Sequence, residues 1–270
     1  INHAGRFAQA GPEAVAPSAV ETFGRVPRAL TLAEIPSIIN QYVGAAARAK
    51  AAGFDLVELH GGTGYLLAQF LSPRTNQRSD AYGGSLTNRQ RFALEVVAGV
   101  QAAVGDFPVG YRFLADEWLP DGLQLAESKR FAAQLERAEI AYISVMGGTY
   151  ESFFLPAVVE RSKSEGYMLS LAAEIRRVVT TPVIAAGRMA TGEFADRAIA
   201  EGRTDLIGLA RVLWADPQWL QKVQAGREAE ICHCNPDCDD ACMQMLQKGR
   251  PAICLAWPEE KMKTWKAKYV

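Results

Sequence analysis

FDLVELHGGTGYLLAQFLSPRTNQRSDAYGGS, residues 54–85, opens on a short apolar run and stops abruptly at His60, two glycines and Tyr65. A run of this length, 54–59, preceded by Gly53 and followed by His60-Gly61-Gly62, reads as a parallel strand buried on both faces. The polar, ring-bearing groups that follow mark its end as a place for chemistry. The same pattern recurs outward from this stretch, at 107–114 (FPVGYRFL), 140–146 (IAYISVM), 182–186 (PVIAA) and 205–210 (DLIGLA). Helical segments separate these runs. Thr31 and Glu34 have capping-box spacing before an Ala-rich helix reaching about Ala52. Phe92, Val96 and Val100 give the next helix an apolar stripe. The segments 123–139, 169–179 and 193–201 continue the alternation, and Asp216-Pro217 opens a further helix.

Repeated strand–helix units predict a parallel α/β sheet, either doubly wound or closed as a TIM (β/α)8 barrel. No GxGxxG follows any strand, which leaves a Rossmann dinucleotide domain without support. Five strands are read directly, and a sixth is expected to end at Ile1-Asn2-His3. The expectation is an incomplete barrel, strands three to eight, with the first two β/α units missing. The barrel is expected over 1–230 and a cysteine-rich segment over 231–270.

Composition narrows the function classes. Apolar residues make up 49 % and charged residues 22 %, enough for a sizeable core. The formal charge of −1 offers no broad basic surface to nucleic acid or anionic lipid. No apolar run approaches the roughly 20 residues a bilayer-spanning helix needs. The expected partner is a small molecule, and a homo-oligomer is compatible with the sequence. All five cysteines fall between Cys232 and Cys254. That clustering predicts a local site in a reducing, cytoplasmic compartment rather than a disulfide framework.

In an α/β sheet of this kind chemistry sits at the carboxyl tips of the strands. Gly187-Arg188 and Ala210-Arg211, at consecutive tips, fit a phosphate held by backbone N–H groups; a plain surface role is the alternative. Arg112, inside VGYRFL, fits either a salt bridge to Glu58 or Asp116 or a fixed cation beside an electron-accepting ring. His60 reads as a satisfied core histidine or a site residue. Tyr65 reads as packing or as a phenolic proton donor.

The segment HGGTGYLLAQFLSPRTNQRSDAYGGSLTNRQRF resembles the signature of the old yellow enzyme family, the FMN-dependent NAD(P)H:flavin oxidoreductases. Asn76, Arg78, Asp80, Tyr82 to Ser85, Asn88-Arg89 and Arg91-Phe92 fall in the family's order. NHAGR at 2–6, VGYRF at 109–113, YISV at 142–145, PVIAAGR at 182–188 and DLIGLAR at 205–211 resemble later family blocks. The resemblance implies a (β/α)8 barrel carrying FMN, with NADH or NADPH as reductant. It implies ping-pong transfer of hydride through flavin N5 to an activated alkene or similar acceptor. By the same resemblance Arg112 lies beside the flavin pyrimidine, and Gly187, Arg188, Ala210 and Arg211 grip its phosphate. Gly147 and Gly148 lie near the ring or phosphate. His60 and position 63 hold the acceptor's oxygen, and Tyr65 protonates its α-carbon. The family's second oxygen donor is usually His or Asn, whereas here it is Thr63, which leaves substrate choice open.

The tail reads CHCNPDCDDACMQMLQKGRPAIC. It is reminiscent of the dienoyl-CoA reductase and trimethylamine dehydrogenase branch, whose four cysteines hold a 4Fe–4S cluster. Cys234, Cys238, Cys242 and Cys254 are the corresponding ligands, with the first three expected on one helix face. A zinc site that includes His233 and a set of free thiols are the alternatives. An iron–sulfur reductase or demethylase and a non-catalytic FMN-binding barrel are therefore the competing functions.

Overall fold

Alternate residues of one short strand set up the architecture. In β3 (Val57–Gly61), Val57, Leu59 and Gly61 are buried toward a layer of helices, while Glu58 and His60 face the other way. The structure, a computed structural model, describes residues 1–9, 13–235, 237–238, 242, 244–245 and 248–269. A two-stranded parallel pair, β1 (Val15–Ala16) and β2 (Arg28–Ala29), precedes the main sheet. That sheet is parallel throughout, in the order β3, β4 (Val109–Asp116), β5 (Ile143–Gly147), β6 (Val183–Ala185), β7 (Leu206–Ile207).

The register aligns His60 with Arg112, Arg112 with Ser144, Ser144 with Ile184 and Ile184 with Leu206. These residues form one layer across the inner face. On the outer face Val109, Tyr111, Phe113, Ile143, Val145, Val183 and Ala185 are all buried. They meet α3 (Arg91–Val104), α4 (Leu125–Arg137) and α5 (Leu169–Arg176), whose inward residues include Val100, Phe131 and Ile175. Phe113 lies on Phe131 with ring centroids 5.8 Å apart and planes 15° from parallel.

Each of the five strands read directly from the sequence is present, with shifted bounds. The run 54–59 is displaced: Phe54 and Leu56 are exposed, and the strand continues instead through His60 and Gly61. The run 205–210 contributes only Leu206–Ile207 to the ladder, because β7 has one strand neighbour among the described elements. Ile1 runs beside β3 as the expected sixth strand would, its N–H donating to Glu58 O at 2.6 Å and its carbonyl accepting from His60 N at 2.9 Å. No strand is assigned there. α1 (Ile35–Ala51) begins after the predicted box: the Glu34 carboxylate accepts from Thr31 N–H at 2.8 Å. Pro217 lies in a turn ahead of its helix, α6 (Trp219–Gln224). Asp216 caps that turn by accepting from Gln218 N–H at 3.0 Å.

The signature over 76–89 is a scaffold. Arg78 ion-pairs with Asp80 at 2.5 Å and donates to Pro17 O and Leu30 O, tying the β1–β2 pair to the segment after α2 (Leu66–Leu71). Asn76 Nδ2 donates to Phe70 O and Tyr82 O, and Arg89 bridges Leu71 O to Glu127.

Candidate active site

β3 ends in a tight turn over 62–65, closed by Tyr65 N–H donating to Gly62 O at 3.1 Å. A side chain at position 62 would displace Met146. A Cβ there would lie 2.4 Å from Met146 Sδ and 3.3 Å from Arg112 Cγ. The close approach brings the tips of β3, β4 and β5 together around His60, Arg112 and Met146. His60 Nδ1 accepts from Gly62 N–H at 3.2 Å. The proton of the neutral ring therefore sits on Nε2, which is left as a donor. Burial and then the Arg112 charge hold its pKa down to about 4, so the ring stays neutral through the physiological range.

Tyr65 stands edge-on to His60, with centroids 5.0 Å apart. Its hydroxyl lies 2.7 Å from that of Tyr150. Burial and the Tyr150 bond raise its pKa, which keeps the phenol protonated and able to donate. Thr63 sits at φ 59° and turns its hydroxyl to Met146 Sδ at 3.5 Å, a weak acceptor.

Arg112 Nη1 donates to Ser144 Oγ at 2.7 Å. Among the described residues no ion pair joins Arg112 to Glu58 or Asp116, so the salt-bridge reading is not what holds it. Burial lowers its pKa, and the Glu58 carboxylate works against that shift. Asp116 is occupied otherwise, accepting from Trp118 N–H at 2.7 Å.

The tips of β6 and β7 enclose a cavity of 140 Å³. Gly187, Arg188, Ala210 and Arg211 line it together, with Tyr167 and Cys234. Gly187 takes φ 109° and Arg188 takes φ 54°, a left-handed pair in which the arginine backbone is strained. The Arg188 guanidinium is clamped, Nε donating to Ser162 O at 3.0 Å and Nη1 to Cys234 O at 3.1 Å. Arg112 does not line this cavity. Tyr167 does.

Gly147 and Gly148 are not among the lining residues. A Cβ at Gly147 would meet the Trp118 indole at 2.5 Å, and one at Gly148 would meet Phe153 at 2.5 Å. Packing of those rings is what excludes side chains there.

Among the described residues no three His, Cys, Asp or Glu side chains are arranged to hold a metal ion. None of the five cysteines is in a disulfide bond. Cys234 and Cys238 lie in irregular chain, which corrects the expectation of a shared helix face. Asn235-Pro236 between them disfavours helix. The rest of the expected helix, 239–241 and 243, lies outside the described residues. Cys254 is nevertheless close to Cys234, Cys232 and Cys238. Burial first, and these thiols after it, raise its pKa.

Tyr150, Ser144, Tyr167 and Phe7 were not singled out from the sequence. A signal for Tyr150 was present: β3 ends in GGTGY and β5 in GGTY, and Thr63 bridges Thr149 across the two tips.

The family model described as NADH:flavin oxidoreductase / NADH oxidase matches residues 4–230. The chain belongs to this family. An NADH oxidase of Thermoanaerobacter brockii is 46 % identical over 242 residues, 87 % of this chain and 37 % of that protein. An NADPH dehydrogenase of a Geobacillus strain is 36 % identical over 221 residues, 81 % of this chain and 63 % of the relative. A solved 2-naphthoyl-CoA reductase in complex with 2-naphthoyl-CoA superposes with a TM-score of 0.88 at 32 % identity, covering 96 % of this chain and 42 % of its own. The chain thus spans less than two thirds of the length of these NADH:flavin oxidoreductase relatives. No described helix is long and apolar enough to cross a membrane.

Proposed function

We propose that this chain carries the FMN and acceptor sites of an NAD(P)H oxidoreductase that reduces an activated alkene or similar small acceptor. Its five strands would form part of a (β/α)8 barrel. The observation that carries the reading is the convergence of Gly187, Arg188, Ala210 and Arg211 on one cavity at adjacent strand tips. Backbone amides at a glycine-opened tip and two arginines are the donor set a phosphate ester requires. A half-buried cation two strands away, about 10 Å at ordinary strand spacing, suits the ring end of the same molecule.

FMN, when bound there, supplies the two-electron relay between NAD(P)H and acceptor. The chain's residues do the rest. Arg112, fixed by Ser144, favours negative charge on the neighbouring ring. His60 Nε2–H polarises the acceptor's oxygen, and Tyr65 delivers a proton to the carbon beside it. Thr63, whose hydroxyl now rests on the weak acceptor Met146 Sδ, would be the second donor to that oxygen. The clustering of all five cysteines between Cys232 and Cys254 fits a reducing, cytoplasmic setting.

The test is an anaerobic titration of the FMN-loaded protein. NADPH or NADH should bleach the flavin, and cyclohexenone should restore its colour. Stoichiometric FMN that neither nicotinamide bleaches would instead select a binding barrel without turnover.

A second reading, the iron–sulfur branch, rests on the gathering of Cys232, Cys234 and Cys238 near Cys254. The described thiols do not form a metal site as placed. Iron and labile sulfide in the purified protein, lost in Cys238→Ala, would support this reading; their absence after anaerobic reconstitution would remove it.

A further inference from the structure

Residues 22–25 form a tight turn near the candidate site, and its composition is unusual. Thr22 N–H donates to Arg25 O at 2.8 Å, and Arg25 N–H returns to Thr22 O at 3.0 Å. The two central residues are Phe23 at φ 47° and Gly24 at φ 75°. Left-handed backbone at both positions defines a type I′ turn, whose first central residue is ordinarily Asn, Asp or Gly. A phenylalanine there is strained. Burial does not compensate, since Phe23 is 63 % exposed. Backbone strain combined with an exposed aromatic ring is a pattern found at ligand sites.

The position of the ring indicates the ligand. Phe23 lies 6.1 Å from the Phe7 ring. Phe7 in turn stands edge-on to Tyr150 at 5.1 Å and to Tyr65 at 6.3 Å. A continuous row of rings therefore runs outward from His60 and Tyr65 to Phe23. The turn is also fixed relative to the site. Thr22 Oγ1 donates to Glu151 Oε1 at 3.3 Å, and Glu151, the residue after Tyr150, is held by Arg6 at 2.5 Å.

We propose that Phe23 and Phe7 form a specificity-determining rim that favours acceptors carrying a planar aryl group. This deepens the proposed function and rests on it for the location of the acceptor's carbonyl. With the carbonyl oxygen at His60 and the reacting carbon at Tyr65, a substituent pointing outward passes over Phe7 and meets Phe23. A flat apolar ring stacks there, whereas a small alkyl group leaves Phe23 in water.

Binding of unreactive ketones to the FMN-loaded protein by equilibrium dialysis tests this without turnover. Benzylacetone serves as the aryl probe and butanone as the small one. Phe23→Asn places a favoured residue in the turn, so the fold is retained and Tm should hold or rise. The ratio of the two dissociation constants should fall about tenfold, the loss of one aromatic contact. Phe23→Tyr should keep the ratio. An unchanged ratio in Phe23→Asn overturns the proposal, as does a loss of Tm showing that the ring serves stability. A halved mass in light scattering with unchanged ratio assigns Phe23 to an interface between copies and also overturns it. Wild type that prefers benzylacetone but oxidises no NADPH with any enone overturns the reductase reading alone.

Discussion

The hydroxyls of Tyr65 and Tyr150 lie 2.7 Å apart, on turns that follow two different strands. One donates and the other accepts, so a proton leaving Tyr65 can be replaced from Tyr150. Tyr65→Phe should lower the rate of acceptor reduction by roughly 10²–10⁴, the range for losing a positioned acid. Tyr150→Phe should cost about tenfold, one neutral hydrogen bond. Stopped-flow reoxidation of reduced flavin by an enone measures both. Equal losses would mean that the pair acts as a unit rather than as donor and support.

His60 gives a pH dependence with a definite sign. Its folded pKa, near 4, lies below the unfolded value near 6.5, because burial and Arg112 disfavour the cation. The folded state binds fewer protons between these values. Its contribution to stability is full above the unfolded pKa and is lost as pH falls toward 4. Denaturant midpoints should decline below about pH 6.5, and less so in His60→Gln. Imidazole NMR shifts flat down to pH 5 would verify the neutral ring directly.

Arg112 should tune redox potential. Arg112→Gln removes a charge-assisted interaction of about 1.5–3 kcal/mol from the reduced state, which corresponds to a two-electron potential roughly 30–65 mV more negative. Spectroelectrochemistry of bound FMN reads this. An unchanged potential would return Arg112 to a purely structural role.

Phe113, fully buried against Phe131, anchors β4 to its helix layer. Phe113→Ala should destabilise by about 3–5 kcal/mol through lost burial and an unfilled cavity. Chemical denaturation followed by circular dichroism gives the figure. A change under 1 kcal/mol would mean that the sheet's outer face is not the core described here.

What the sequence disclosed followed its locality. Short apolar runs placed all five strands of the main sheet, because burial on both faces leaves a continuous apolar signature. Gly187 and Arg211 could be paired because consecutive tips of a parallel sheet lie side by side. Long-range packing stayed hidden. Nothing near Gly147 announces that the Trp118 indole fills the space a side chain would take. The segment over 76–89 resembled its family most strongly, yet Arg78 and Asn76 prove to be clamps on backbone carbonyls. Phe23 drew no notice because its backbone conformation, not its chemistry, sets it apart.

Flavin selectivity tests the central claim most directly. Flavin-free protein is titrated with FMN and with riboflavin, which differ only by the phosphate, and tryptophan quenching reports binding. If the tips of β6 and β7 hold that phosphate, FMN should bind at least about a hundredfold more tightly, as two or more charge-assisted bonds require. Arg188→Ala should remove much of the difference. Equal affinity for the two flavins would contradict the account.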